Sequence, residues 1–144
     1  MISREELVAL LSSYRWAKRD VEALTREIEN LRERKSSATF TQEEGPRPTA
    51  PKDMSDYIVT LEALEERLEV LQLKELKTLQ RVDKLVWGMP EGRNRTVLAL
   101  RYLECLPWHE IADRLHYAKR SLFRIHEEAL EECCHTMSPD FALL

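Results

Sequence analysis

The sequence predicts an all-α chain: a long N-terminal helical hairpin of coiled-coil character, followed by a C-terminal helix-turn-helix domain. Three observations carry that prediction. Leu, Glu, Arg, Lys and Ala dominate the 144 residues, which include only three glycines, and such usage favours helix over sheet. Apolar residues recur at heptad spacing along the first part of the chain. The last third carries apolar residues at the spacing of two short helices crossing around a tight turn.

The first element is a long helix over 1–35. Ser3 followed by Glu5 and Glu6 is a helix start, a hydroxyl able to cap free N–H groups and then carboxylates near the positive end of the dipole. Glu6 also completes the spacing of a capping box. Leu7, Leu10, Tyr14, Ala17, Val21, Leu24, Ile28 and Leu31 then follow in 3,4 alternation, which predicts one narrow apolar seam. That seam pairs either with a second helix of the same chain or with another chain. A two-helix seam leaves a second side to cover, so a homo-oligomer formed through the N-terminal helices is expected.

Residues 36–52, SSATFTQEEGPRPTAPK, lose the pattern; Gly45, Pro46, Pro48 and Pro51 exclude a continuous helix, and a flexible Pro-rich linker is expected. A second long helix over 53–87 starts near Asp53 or Ser55. It carries Tyr57 or Ile58, then Leu61, Leu64, Leu68 and Leu71, and shifts phase to Leu76, Leu79, Val82 and Val86. Such a slip predicts a stutter or a change of packing partner. Sequential helices joined by a modest connection usually pack side by side, which favours an antiparallel hairpin.

Gly88 and Pro90 end the second helix and open a domain over 88–135, with a tail at 136–144. The expected order is a helix over 93–104, a break at 105–107, a helix over 108–115, a turn at 116–118 and a last helix over 119–134. Ile111, Ala112 and Leu115 share one face of the first helix of the pair, Tyr117 closes the turn, and Leu122 and Ile125 face inward on the second. A small residue at 112 lets the two backbones approach while the large residues fill the wedge.

The remaining composition excludes several classes. Against 22 Lys and Arg stand 26 Asp and Glu, a formal net charge of −4, so bulk charge does not point to nucleic acid and local charge must. No apolar run approaches the roughly 20 residues of a membrane span, and the N-terminus MISREEL is charged where a signal peptide is apolar; a cytoplasmic protein is expected. Cys105, Cys133 and Cys134 do not form a disulfide framework, and with His135 they lack the spacing of a zinc site. His109, His126 and His135 have no nucleophile or carboxylate at a catalytic spacing, so neither enzyme activity nor a cofactor is expected.

LALRYLECLPWHEIADRL followed by HYAKRSLFRIHEEALEE resembles region four of bacterial sigma factors. In that pattern a helix ending in LRY leads through a turn into EIA, then through a second turn into a recognition helix ending in an AL pair, here Ala129-Leu130. The match covers about 45 of the 144 residues. With its helical preface, the chain is similar to small regulators of the ArpU/RinA kind from bacteriophages and prophages of Gram-positive bacteria. The resemblance implies transcriptional control by DNA binding, of late phage genes, in a bacterial cytoplasm. The chain departs from the pattern at His116, where glycine is usual, at Ala118, where a capping Ser is common, and in the acidic turns at Glu127, Glu128, Glu131 and Glu132.

In a helix-turn-helix the N-terminal turns of the second helix enter the major groove. Lys119, Arg120, Ser121 and Arg124 are therefore the expected DNA contacts, with the forks of Arg120 and Arg124 suited to guanine and Lys119 and Ser121 to phosphate. Arg93, Arg95, Arg101 and Arg114 are candidate flanking phosphate contacts, or else solvated surface charges. The competing reading of Arg124 is an i,i+4 pair with Glu128. Tyr102 and Trp108 are expected to be core or turn-packing residues rather than base-stacking ones. A second functional reading keeps the fold but docks it on RNA polymerase or a sigma factor without direct specific DNA readout.

Overall fold

The computed structural model describes residues 2–40 and 54–137. Among these residues the structure is all-helical, with no strand. Helix α1 spans Arg4–Phe40, α2 Met54–Trp87, α3 Arg93–Leu98, α4 Trp108–Leu115 and α5 Lys119–Thr136; α3 runs directly into a π-helical turn, Ala99–Leu103. The chain divides into two compact units, Met1–Ala17 with Glu75–Leu144, and Lys18–Lys74. The unit that holds 88–135 thus also takes in the start of α1 and the end of α2.

Helix α1 begins with the capping box read from the sequence. The Ser3 backbone N–H donates to Glu6 Oε2 at 3.1 Å and the Glu6 N–H donates to Ser3 Oγ at 3.1 Å. The helix continues to Phe40, five residues beyond the expected end at 35. Nothing in SSATF breaks a helix; the first breaker, Gly45, comes later. Most of the expected linker, and residues 138–144 of the expected tail, lie outside the described residues.

In the smaller unit Leu24, Ile28 and Leu31 of α1 pack with Tyr57 and Leu64 of α2, flanked by Leu61, Leu68 and Leu71. Arg32 pairs with Glu65 at 2.9 Å, and the Lys35 ammonium lies 4.7 Å from the centre of the Tyr57 ring. Rising numbers on α1 meet falling numbers on α2, so within this unit the two run antiparallel. Tyr57, not Ile58, is the buried member of that expected pair, and Val21 is partly exposed.

The larger unit corrects the seam in two places. On α1 the core position is Leu11, with Leu10 only partly buried beside it. Here α1 is covered by several elements rather than one, so its apolar face is broader than a heptad stripe. On α2 the expected second phase is largely present: Val82 and Val86 are buried and Leu79 half-buried in the cluster that also holds Leu98, Ala129 and Leu130, so the packing partners change along the helix, and only Leu76 of that set is exposed. Leu85 and Met89 are buried beside them, and Glu75 and Thr78 bring polar side chains to the covered face. Thr78 tolerates burial because its hydroxyl donates to the Glu75 carbonyl at 2.9 Å.

Two apolar clusters organise the larger unit. One joins Leu7, Leu11 and Tyr14 to Val82, Leu85, Val86 and Met89, with Leu98, Tyr102, Ala129, Leu130 and Cys133. The other joins Val97 and Leu100 to Ile111, Ala112, Leu122 and Ile125, with Leu106, Trp108, Leu115 and Tyr117 against it. Helix α5 contributes to both. The expected single helix over 93–104 is an α-helix that widens at Ala99, where the Glu104 N–H donates to the Ala99 carbonyl at 3.0 Å. It closes at Cys105 in the left-handed region, φ 58°.

Tyr102 and His126 bring a polar pair into this core. Tyr102 Oη and His126 Nε2 share a hydrogen bond of 2.7 Å. Burial holds the imidazole neutral, with its pKa lowered to about 4. In the unfolded chain the ring titrates near 6.5, so as pH falls below about 6.5 the unfolded state binds the proton and the folded state does not. Stability therefore declines from pH about 6.5 down to about 4, by at most about 3 kcal/mol, and this contribution levels off below. Chemical denaturation across this range, in the parent and in His126→Gln, is expected to show the extra slope between pH 6.5 and 5 in the parent alone.

The turn between α4 and α5 yields a second prediction. His116 has φ 58° and ψ 39°, and the Tyr117 N–H donates to the Ala112 carbonyl at 3.0 Å, a Schellman closure with Tyr117 packed against the cluster that contains Ala112. A side chain there carries a steric cost that glycine lacks. His116→Gly is expected to raise the unfolding free energy by about 1 kcal/mol. Ala118 supplies no side-chain cap to α5, so Ala118→Ser is expected to add about 0.5–1 kcal/mol. Thermal melts of both variants check this.

Candidate functional site

The site is set by what α5 turns inward. Leu122, Ile125, His126, Ala129, Leu130 and Cys133 are buried, at spacings of three and four that place them on one face. The opposite face of the first two turns carries Lys119, Arg120 and Arg124, all exposed, with Ser121 half-buried at its edge. Behind it, all six residues read as the helix-crossing wedge lie in one cluster: Ile111, Ala112, Leu122 and Ile125 buried, Leu115 and Tyr117 against them.

The arginines divide by their partners. Arg93 Nη2 meets Glu128 Oε2 at 3.2 Å, and Arg114 lies 3.5 Å from both Glu104 and Glu110. Arg95 reaches the Met89 carbonyl at 3.5 Å, with its guanidinium 4.8 Å from the centre of the Trp87 ring. Arg101 donates to the Leu106 carbonyl at 3.0 Å and lies 4.6 Å from the centre of the Trp108 ring. These four side chains hold neighbouring elements together. Among the described residues, no ion pair forms at Lys119, Arg120 or Arg124.

Glu128 does not pair with Arg124, the i,i+4 alternative; Arg93 takes it instead. Glu127 is gripped by Arg4, whose Nε donates to Oε2 at 2.8 Å and whose second guanidinium nitrogen meets Oε1. That hydrogen bond holds the Glu127 carboxyl below its usual pKa and raises that of Arg4. Asn94 Nδ2 donates to Glu132 at 2.6 Å. Of the four carboxylates in the acidic turns of α5, Glu127, Glu128 and Glu132 are thus partnered by α1 and α3, and the three cations of its first two turns face solvent.

Phe123 was not among the candidates read from the sequence. It lies on the exposed side of α5, 46 % exposed, between Arg120 and Arg124 in sequence. Its ring meets Trp108 edge-on at 5.4 Å and 79°. Trp108 in turn meets His126 edge-on at 4.7 Å, and His126 lies 5.8 Å from Tyr102. The signal available in the sequence was the large apolar residue interrupting a polar stripe. Tyr102 and Trp108 take the packing roles expected of them.

Among the described residues, no group of three or more His, Cys, Asp and Glu could hold a metal ion, and no helix is long and apolar enough to cross a membrane. Burial raises the Cys133 thiol to about 11, which leaves it protonated and unreactive near neutral pH. No protein-family model, curated protein or solved structure matches the chain.

Proposed function

We propose that this chain is a sequence-specific DNA-binding transcriptional regulator, a helix-turn-helix domain carried on a long helical hairpin, which reads the major groove with the first two turns of α5. The observation that carries this reading is the state of Lys119, Arg120 and Arg124. They are exposed, they form no ion pair among the described residues, and they project from a helix braced from behind by α4. A guanidinium already engaged in the protein would have to break that contact to reach a base; these two do not. The likeness of the segment LALRYLECLPWHEIADRL and its sequel to sigma factor region four points the same way, toward regulation of phage or prophage genes in a bacterial cytoplasm.

The net charge of −4 is less adverse than it looks. Glu127, Glu128 and Glu132 are each occupied by a donor from α1 or α3, which damps their repulsion of phosphate at the far end of α5. Arg93, Arg95 and Arg114, expected as flanking contacts, have intramolecular partners and a smaller role in this proposal. Self-association through the α1 stripe is also less favoured, because in the smaller unit Leu24, Ile28 and Leu31 are buried against α2 of the same chain. Docking on RNA polymerase is the competing reading, and salt dependence separates the two.

Selection of duplexes from a randomised library by the full chain is expected to return one preferred site. On it, Arg120→Ala and Arg124→Ala should each cost about 1 to 3 kcal/mol and relax base preference at one position. Lys119→Ala should weaken all duplexes alike. The logarithm of affinity should fall with the logarithm of salt, and Lys119→Ala should make that slope shallower by about 1. A flat salt dependence, or arginine variants that bind as the parent does, would refute the proposal.

A further inference from the structure

Resting on the DNA-reading role just proposed, we infer that Phe123 is a specificity-determining residue of the same surface, making apolar contact with the 5-methyl group of a thymine in the major groove. Phe123 sits one residue before Arg124 and three after Arg120, on the exposed side of α5, so a duplex engaged by those two arginines lies against its ring. The ring carries no hydrogen-bonding group. In the major groove the one apolar feature that a natural, unmodified base pair offers is the thymine methyl.

Rigidity supports the assignment. A lone half-exposed phenylalanine is ordinary on a protein surface, but this one is buttressed. Its ring stands edge-on to Trp108 at 5.4 Å; Trp108 is set edge-on against buried His126 at 4.7 Å and lies beneath the Arg101 guanidinium at 4.6 Å. His126 is held by its hydrogen bond to Tyr102 at 2.7 Å. A chain of four rings thus runs from the core to the surface, and its last member reaches solvent already oriented. Little side-chain freedom remains to be lost on binding. The neighbouring cations Lys119, Arg120 and Arg124 give the patch a charge that suits a phosphate-lined groove and disfavours a basic or purely apolar partner.

The test uses the full chain and the duplex it selects from a randomised library, remade with each thymine in turn replaced by deoxyuridine, which lacks only the methyl. At one position the replacement is expected to weaken binding by the parent about fourfold, the effect of removing one buried methyl-sized group. Phe123→Ala should bind the thymine duplex at least that much more weakly, and should not distinguish thymine from deoxyuridine at that position. Phe123→Leu should retain part of the discrimination. Because the parent arm needs no variant, the inference stays testable if Phe123→Ala fails to fold. A parent indifferent to every replacement overturns it, as does a Phe123→Ala chain that still discriminates. Loss of affinity for RNA polymerase in that variant, with DNA binding unchanged, overturns it in favour of a protein-docking role. A library that returns no preferred duplex removes the DNA reading itself, and this inference with it; a preferred duplex without a methyl effect removes this inference alone.

Discussion

The larger unit depends on the double duty of α5. Leu122 and Ile125 close the cluster with α4, while Ala129, Leu130 and Cys133 close the cluster with the ends of α1 and α2. A helix that serves two apolar clusters has no freedom to rotate, since turning it by one position would expose buried aliphatic side chains from both, at roughly 1.5–3 kcal/mol for each large one. The outward face of its first two turns is therefore determined by the core. Lys119, Arg120, Phe123 and Arg124 are presented to solvent because Leu122, Ile125 and His126 are not.

Charge is organised around the same helix. The chain is acidic overall, and the second half of α5 is strongly so, yet Glu127, Glu128 and Glu132 there meet Arg4 from α1, Arg93 from α3 and Asn94 beside it. Exposed pairs of this kind contribute little stability individually. Their consequence lies in what they leave over: the cations that hold elements together and the cations that face outward are different residues. On the proposed reading, phosphate meets a small positive surface while Glu127, Glu128 and Glu132, further along the helix, are already engaged.

Much of this was legible in the sequence where the determining interactions are local. The Ser3–Glu6 capping box, the left-handed turn at His116, the uncapped start of α5 at Ala118 and the six wedge residues from Ile111 to Ile125 all depend on spacings of a few residues. What could not be read there depends on distant partners. Arg4 and Glu127 are 123 residues apart and Arg93 and Glu128 are 35 apart, so the i,i+4 rule offered Arg124 instead. Leu11 replaces Leu10 because α1 in the larger unit is covered from several sides. On α2 Leu76 is exposed while Glu75 and Thr78 join the covered face, polar residues that apolar spacing passes over. The π-helical turn at Ala99–Leu103 has no compositional mark, and the contact that holds Phe123 comes from Trp108 on another helix.

On the proposed reading, DNA is met by the first two turns of α5 and not by the long helices. Mapping amide chemical-shift changes along the isotope-labelled chain, as its selected duplex is added, tests it most directly. The largest changes are expected at 119–124, with smaller ones at the turn 116–118 and little change over 18–35 or 54–74. Changes concentrated on the long helices, with 119–124 unmoved, would contradict it.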